Sequence, residues 1–170
     1  MAADTEWNIC APGPSMSQRL VDSLKGQRVA VVGLVFELAP WADMLIANDQ
    51  EWWAKYPHAH DFKGAKFSAN RIRGVHLCEP GATNWCSGVL ALQAVSNMGA
   101  TVVRLHGFDH HGSHYFGPYT NGLTNTPDHT RLIHLRQFEN WQRVNTHLQV
   151  INCTKGSALK CFPFEEAACT

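Results

Sequence analysis

Residues 85–111 read WCSGVLALQAVSNMGATVVRLHGFDHH. A Ser-Gly turn opens an apolar helix, Val89, Leu92, Ala94, Val95 and Met98 make that helix largely apolar, and Gly99 caps it before the strand TVVRLHGFD. The strand ends in His and Asp, so polar groups gather at its carboxyl end. In open α/β sheets that end is where ligands bind, because helix amino termini and strand-end loops converge there.

Working outward, the same alternation recurs. WNICA (7–11) reads as a short buried strand, and PGPSMSQRLVDSLKGQ as a turn, a helix capped by Ser15 or Ser17, and a stop at Gly26. RVAVVG (28–33) and DMLIAND (43–49) are continuous apolar runs of the kind covered on both faces of a sheet. The second ends in Asn48 and Asp49, before EWWAKYP, whose Trp52 and Trp53 either pack the flank of the sheet or stack on a base. KFSA and GVHLC are short β-like pieces among the basic residues Lys63, Lys66, Arg71 and Arg73. Beyond the opening stretch, HHGSHYFGPYTNGLTNTPDHT is rich in Gly, Pro, Asn and Thr and reads as a long loop over the strand ends. TRLIHLRQFENWQRVNT (130–146) has helical spacing, with Asp128 or Thr130 as the cap, and LQVINC reads as a last strand. Strands alternating with helices predict an α/β fold: a mostly parallel sheet with helices on both faces, in one domain over 1–170 with its core at about 7–163.

Composition narrows the function classes. With 14 basic and 14 acidic residues the formal charge is zero, so no global field draws the chain to nucleic acid or to a membrane surface. No apolar run approaches the length of a membrane helix, and MAADTEWN has no apolar core behind a basic end, so neither a membrane span nor a signal peptide is expected. Six cysteines without a CxxC pair predict reduced thiols in a cytoplasm.

A strand, a Gly-containing turn and a capped helix form one kind of phosphate site, so Gly13, Pro14 and Ser15 are candidate ligand contacts. The densest polar feature is His106, Asp109, His110, His111 and His114, with His129 further on. His and Asp suit zinc, which makes a zinc-dependent hydrolase one alternative, but the spacing matches neither HExxH nor paired CxxC, and no metal ligand and no cofactor is assigned. His129 precedes a helix start, where the dipole favours the neutral imidazole of a general base, and Asp109 is placed to orient a His or bind a hydroxyl.

Taken together and in order, WNICAPGPSM, CSGVLALQAVSNMGATVVRLHGFDHHG, DHTRLIHLRQFENW and VINCTKGSALKCF resemble the Rossmann-like bacterial CMP-sialic acid sialyltransferases and their 6-hydroxymethylpterin diphosphokinase-like relatives. A closer likeness is to small Rossmann-like proteins of bacteriophages and prophages, whose middle resembles LAPWADMLIANDQEWWAKYP. The resemblance implies a nucleotide site. Gly13 to Ser15 would face phosphate, Ser87-Gly88 phosphate or ribose, and Gly107 and Asp109 the nucleoside, with His110 and His111 close by. Asn152, Thr154 and Ser157 would close over base or ribose, and His129 matches the sialyltransferase base. Two asparagines of the sialyltransferase pattern are replaced here by Pro12 and Gly33-Leu34, and the acceptor-binding lid has no room. The expected function is therefore capture of a nucleotide-derived small molecule by a phage-type protein, such as sequestration of a host immune signal in the host cytoplasm. Tight retention would favour a homo-oligomer. The alternative is a transferase or hydrolase of an activated nucleotide, with His129 as base.

Overall fold

A computed structural model describes residues 5–167; the first four residues and Cys169 lie outside the described residues. Seven strands form one sheet: β1 (Glu6–Cys10), β2 (Val29–Val32), β3 (Met44–Ile46), β4 (Ala65–Ser68), β5 (His76–Leu77), β6 (Val102–His106) and β7 (Gln149–Asn152). Their order is β5-β4-β3-β2-β1-β6-β7, and every pairing is parallel. The chain thus builds one wing stepwise from β1 to β5, crosses back, and adds β6 and β7 on the other side of β1. This is the α/β, Rossmann-like architecture expected from the sequence.

The helices are α1 (Gln18–Ser23), α2 (Val35–Leu38), α3 (Gln50–Lys55), α4 (Ser87–Asn97) and α5 (Asp128–Val144), with a 3-10 segment at Pro57–Asp61. Side chains alternate across the strands and so feed two cores. Trp7, Ile9, Ala30, Val32, Met44 and Ile46 pack under α4 and α5, while Cys10, Val29, Val31 and Leu45 pack under α1, α2 and α3. Reversing the direction of strand addition at β1 reverses the face on which right-handed crossovers lie, which is why the two helix sets part.

Seven successive residues of α4, Val89 to Val95, are buried. Apolar on nearly all sides, the helix is held between the sheet and α5, and each large side chain buried there contributes about 1.5–3 kcal/mol. Trp52 and Trp53 of α3 are buried against the other face, and the Trp53 indole donates to the Ala47 carbonyl at 2.8 Å. Local details differ from expectation. Ser17, not Ser15, caps α1, accepting from the Leu20 amide. Neither Asp128 nor Thr130 caps α5, which starts behind Pro127 with no side-chain cap.

Candidate functional site

A cleft of about 700 Å³ opens at the carboxyl ends of β1, β2, β3 and β6. Strand order reverses at β1, so the loops after β1 and β6 lead away to opposite wings and leave a crevice between them. That is the topological switch point, the usual ligand position in such sheets.

The floor is two loops laid against each other. Gly13 donates its amide to the Gly107 carbonyl at 3.0 Å, and Ala11 donates to His106 at 2.8 Å. A Cβ on Gly13 would lie 2.1 Å from the Asp109 carboxylate and 2.3 Å from the Gly107 carbonyl. Gly107, at φ +72°, would place a Cβ 2.1 Å from the Ala11 carbonyl. Both glycines are therefore required by the backbone approach itself. The Asp109 carboxylate accepts from the Ser15 hydroxyl at 2.8 Å and the Ser15 amide at 3.3 Å. Asp109 is buried, and neither it, Ser15 nor Pro14 lines the cleft.

Asn152, Thr154 and Ser157 are likewise spent on structure and do not line the cleft. The Thr154 hydroxyl accepts the Phe108 amide at 3.0 Å, the Ser157 hydroxyl donates to the Phe108 carbonyl, and the Asn152 side chain accepts from Thr154 and donates to Leu159, each at 3.0 Å. The loop after β7 thereby braces the loop after β6 from behind.

Opposite the floor stands the amino end of α4. Its N-cap is Cys86, with no side-chain cap bond, and Ser87 and Gly88 of its first turn line the cleft. Gly88 has a packing reason as well: a Cβ there would be 2.8 Å from Phe138 and 2.9 Å from Phe108. Asn48, buried at the end of β3, fastens this wall. It donates to the carbonyls of Ala82 (3.0 Å) and Trp85 (2.8 Å), accepts from the Ala69 amide (2.9 Å), and gives its own amide to the Ser87 hydroxyl (3.0 Å). Asp49 lines the cleft and caps α3 through the Glu51 amide.

The third wall is α5, and here the structure gathers residues that were not singled out as ligands. Arg131, His134 and Phe138 line the cleft, spaced three and four apart on one helical stripe. His129 is exposed and outside the lining, because it lies about 160° around the helix from that stripe at 3.6 residues per turn. Arg131 and His134 precede the buried Phe138 by seven and four residues and so share its face, whereas Leu132, one residue off that stripe, is exposed. Arg131 reaches the Gly112 carbonyl and, at 3.4 Å, the exposed Asp128.

His110 and His111 line the cleft as well. His110 adopts φ +54° and packs edge-on to Phe138, ring centroids 5.3 Å apart. Burial pulls its pKa down to about 4, with the Arg131 guanidinium and the neighbouring imidazoles acting in the same direction. Burial also lowers His134 and His114. These imidazoles are neutral at neutral pH, which leaves Arg131 as the fixed positive charge of this wall. Among the described residues no three His, Cys, Asp or Glu side chains come together as a metal set, and no helix is long and apolar enough to cross a membrane.

No family model matches the chain, and no curated protein matches it. Its fold is shared with a glycosyltransferase. The structure of the MAf glycosyltransferase from Magnetospirillum magneticum AMB-1 superposes with a TM-score of 0.64 at 12% sequence identity, over 96% of this chain and 34% of that one. This chain therefore spans about a third of the length of that protein, and the likeness is one of fold.

Proposed function

We propose that the cleft binds a nucleotide-derived anion, its phosphate held between the amino end of α4 and Arg131. The observation that carries this is that Ser87, Gly88 and Arg131 line one cleft at the switch point. Helix amides and a fork of N–H donors favour phosphate for the same electrostatic reason. The shared fold with a glycosyltransferase supports an activated sugar as the class of ligand. The resemblance to phage and prophage proteins supports capture without turnover, including sequestration of a nucleotide signal.

Transfer is the second reading, favoured by two neutral histidines, His110 and His134, on the cleft wall. His134 is the better candidate base of the two, since a pKa of about 4 makes His110 a weak proton acceptor at neutral pH. His129, the base expected from the sequence, is exposed on the far side of α5, so His134 takes that role in this reading.

Mass spectrometry of small molecules released from the purified protein, followed by incubation with the compound found, tests both readings. We expect a nucleotide or nucleotide sugar, with Arg131→Ala weakening its binding by about 10- to 100-fold, the loss of one charge-assisted contact. Recovery of the ligand unchanged supports capture, and recovery of a free nucleotide from a nucleotide sugar supports transfer. Failure to find any phosphorylated ligand, by release or by calorimetry with added nucleotides, would falsify the proposal.

A further inference from the structure

The long loop after β6 holds one ring in a close set of backbone and ring contacts. Tyr119 is half-buried, lines the cleft, and is clasped through its backbone by Asn125, which accepts from the Tyr119 amide at 2.7 Å and donates to its carbonyl at 3.1 Å. Three rings buttress its side chain: His114 at 4.6 Å, Phe116 at 5.4 Å and Tyr56 at 6.4 Å between centroids. His114 and Phe116 are themselves stacked at 4.7 Å with 5° between their planes. The loop is anchored on both sides of the cleft floor, the Tyr115 amide donating to Pro12 at 3.0 Å and its hydroxyl to Leu34 at 2.9 Å.

In a segment so rich in Gly and Pro, this clasp removes the conformational freedom that a stacking contact would otherwise have to overcome on binding. The other aromatic lining has less to offer. Phe108 and Phe138 are 2% and 0% exposed, their edges already committed to each other. Trp85, half-buried beside α4, is the alternative platform. Tyr119 packs with the α1–α3 core and Phe138 with the α4–α5 core, so the ring and the Arg131 wall lie on opposite faces of the sheet's upper edge.

We infer that Tyr119 is the platform on which the planar base of a nucleotide stacks, with the phosphate across the cleft at Arg131 and the amino end of α4. This rests on the nucleotide reading above and adds the orientation of the ligand and the source of its base selectivity. Asn125 is a positioning residue that acts through Tyr119.

Calorimetry on the full chain compares CMP, UMP, AMP and GMP with ribose 5-phosphate, which keeps the anion and lacks the base. At least one nucleotide should bind about tenfold or more tighter than ribose 5-phosphate, the contribution of one stacked base. Tyr119→Phe should keep that ratio. Tyr119→Ala and the volume-preserving Tyr119→Leu should bring it to within about twofold while ribose 5-phosphate binds as before, which also reports that the fold is intact. Asn125→Ala should reduce the ratio in part, with no change for ribose 5-phosphate. If the ratio survives in both Tyr119 variants, or if it collapses in Trp85→Ala instead, the platform is elsewhere and the nucleotide site stands. Binding of neither compound to the unaltered chain overturns the nucleotide site and the platform together.

Discussion

His106 is 3% exposed and gives its Nε2 to the Asn8 side chain at 2.9 Å, while its Nδ1 has no partner. Asn8 in turn donates to Gln27 at 2.9 Å, so its oxygen acts as the acceptor and the imidazole is held as the neutral Nε2–H tautomer. Burial, with Arg104 nearby, pulls the pKa to about 4 from the ordinary value near 6.5. A lowered histidine stabilises the folded state fully above the unfolded pKa, and that contribution is lost as pH falls from about 6.5 to about 4, because the unfolded chain takes up the proton first. At about 1.4 kcal/mol per pH unit, the loss is on the order of 3 kcal/mol. Urea midpoints at pH 7 and pH 4.5 should therefore differ by less in His106→Gln than in the unaltered chain; an equal difference would place the acid sensitivity elsewhere. His110 contributes with the same sign and remains in that variant.

Among the elements, α4 depends on the loop that precedes it, and that loop depends on Asn48. Replacing Asn48 by Ala leaves the half-buried carbonyls of Ala82 and Trp85 and the amide of Ala69 without their partner. Unmet polar groups cost about 1–3 kcal/mol each, with relaxation recovering part, so Asn48→Ala should destabilise by about 2–4 kcal/mol in denaturant titration. A loss under about 0.5 kcal/mol would mean that the loop is held by other contacts. The helix itself was legible as an apolar run between Ser-Gly and Gly99, as were β1, β2, β3 and β6, because strands covered on both faces write themselves as unbroken apolar runs. The roles of Ser15, Asp109, Asn152, Thr154 and Ser157 were not legible. A polar residue at a strand end looks the same in sequence whether it meets a ligand or another loop, and here five of them are spent holding the floor together. Arg131 and His134 were not legible because their place is set by the face that α5 turns inward, while the conspicuous His129 stands at the helix start on the opposite side.

For the whole molecule, binding and stability are linked through the cleft, since its walls come from both wings of the sheet. A ligand at about 100 times its Kd adds about 2.7 kcal/mol to the folded state, and a chain of this size gains roughly 2–4 °C per kcal/mol. The Tm should therefore rise by roughly 5–11 °C with a saturating nucleotide that binds, in proportion to the logarithm of its concentration. An unchanged Tm with nucleotide bound would show that binding does not depend on the folded cleft. The central ladder has a consequence in time as well as in space. Glu6 pairs with Val102 and Cys10 with His106, so β1 waits for most of the chain to be made before its second neighbour exists. On the ribosome, the β1–β5 wing emerges first with one flank of β1 unpaired, and Arg131 follows later still. Until β6 is made, that flank of β1 presents unpaired backbone donors and acceptors, the kind of edge on which a foreign strand can add.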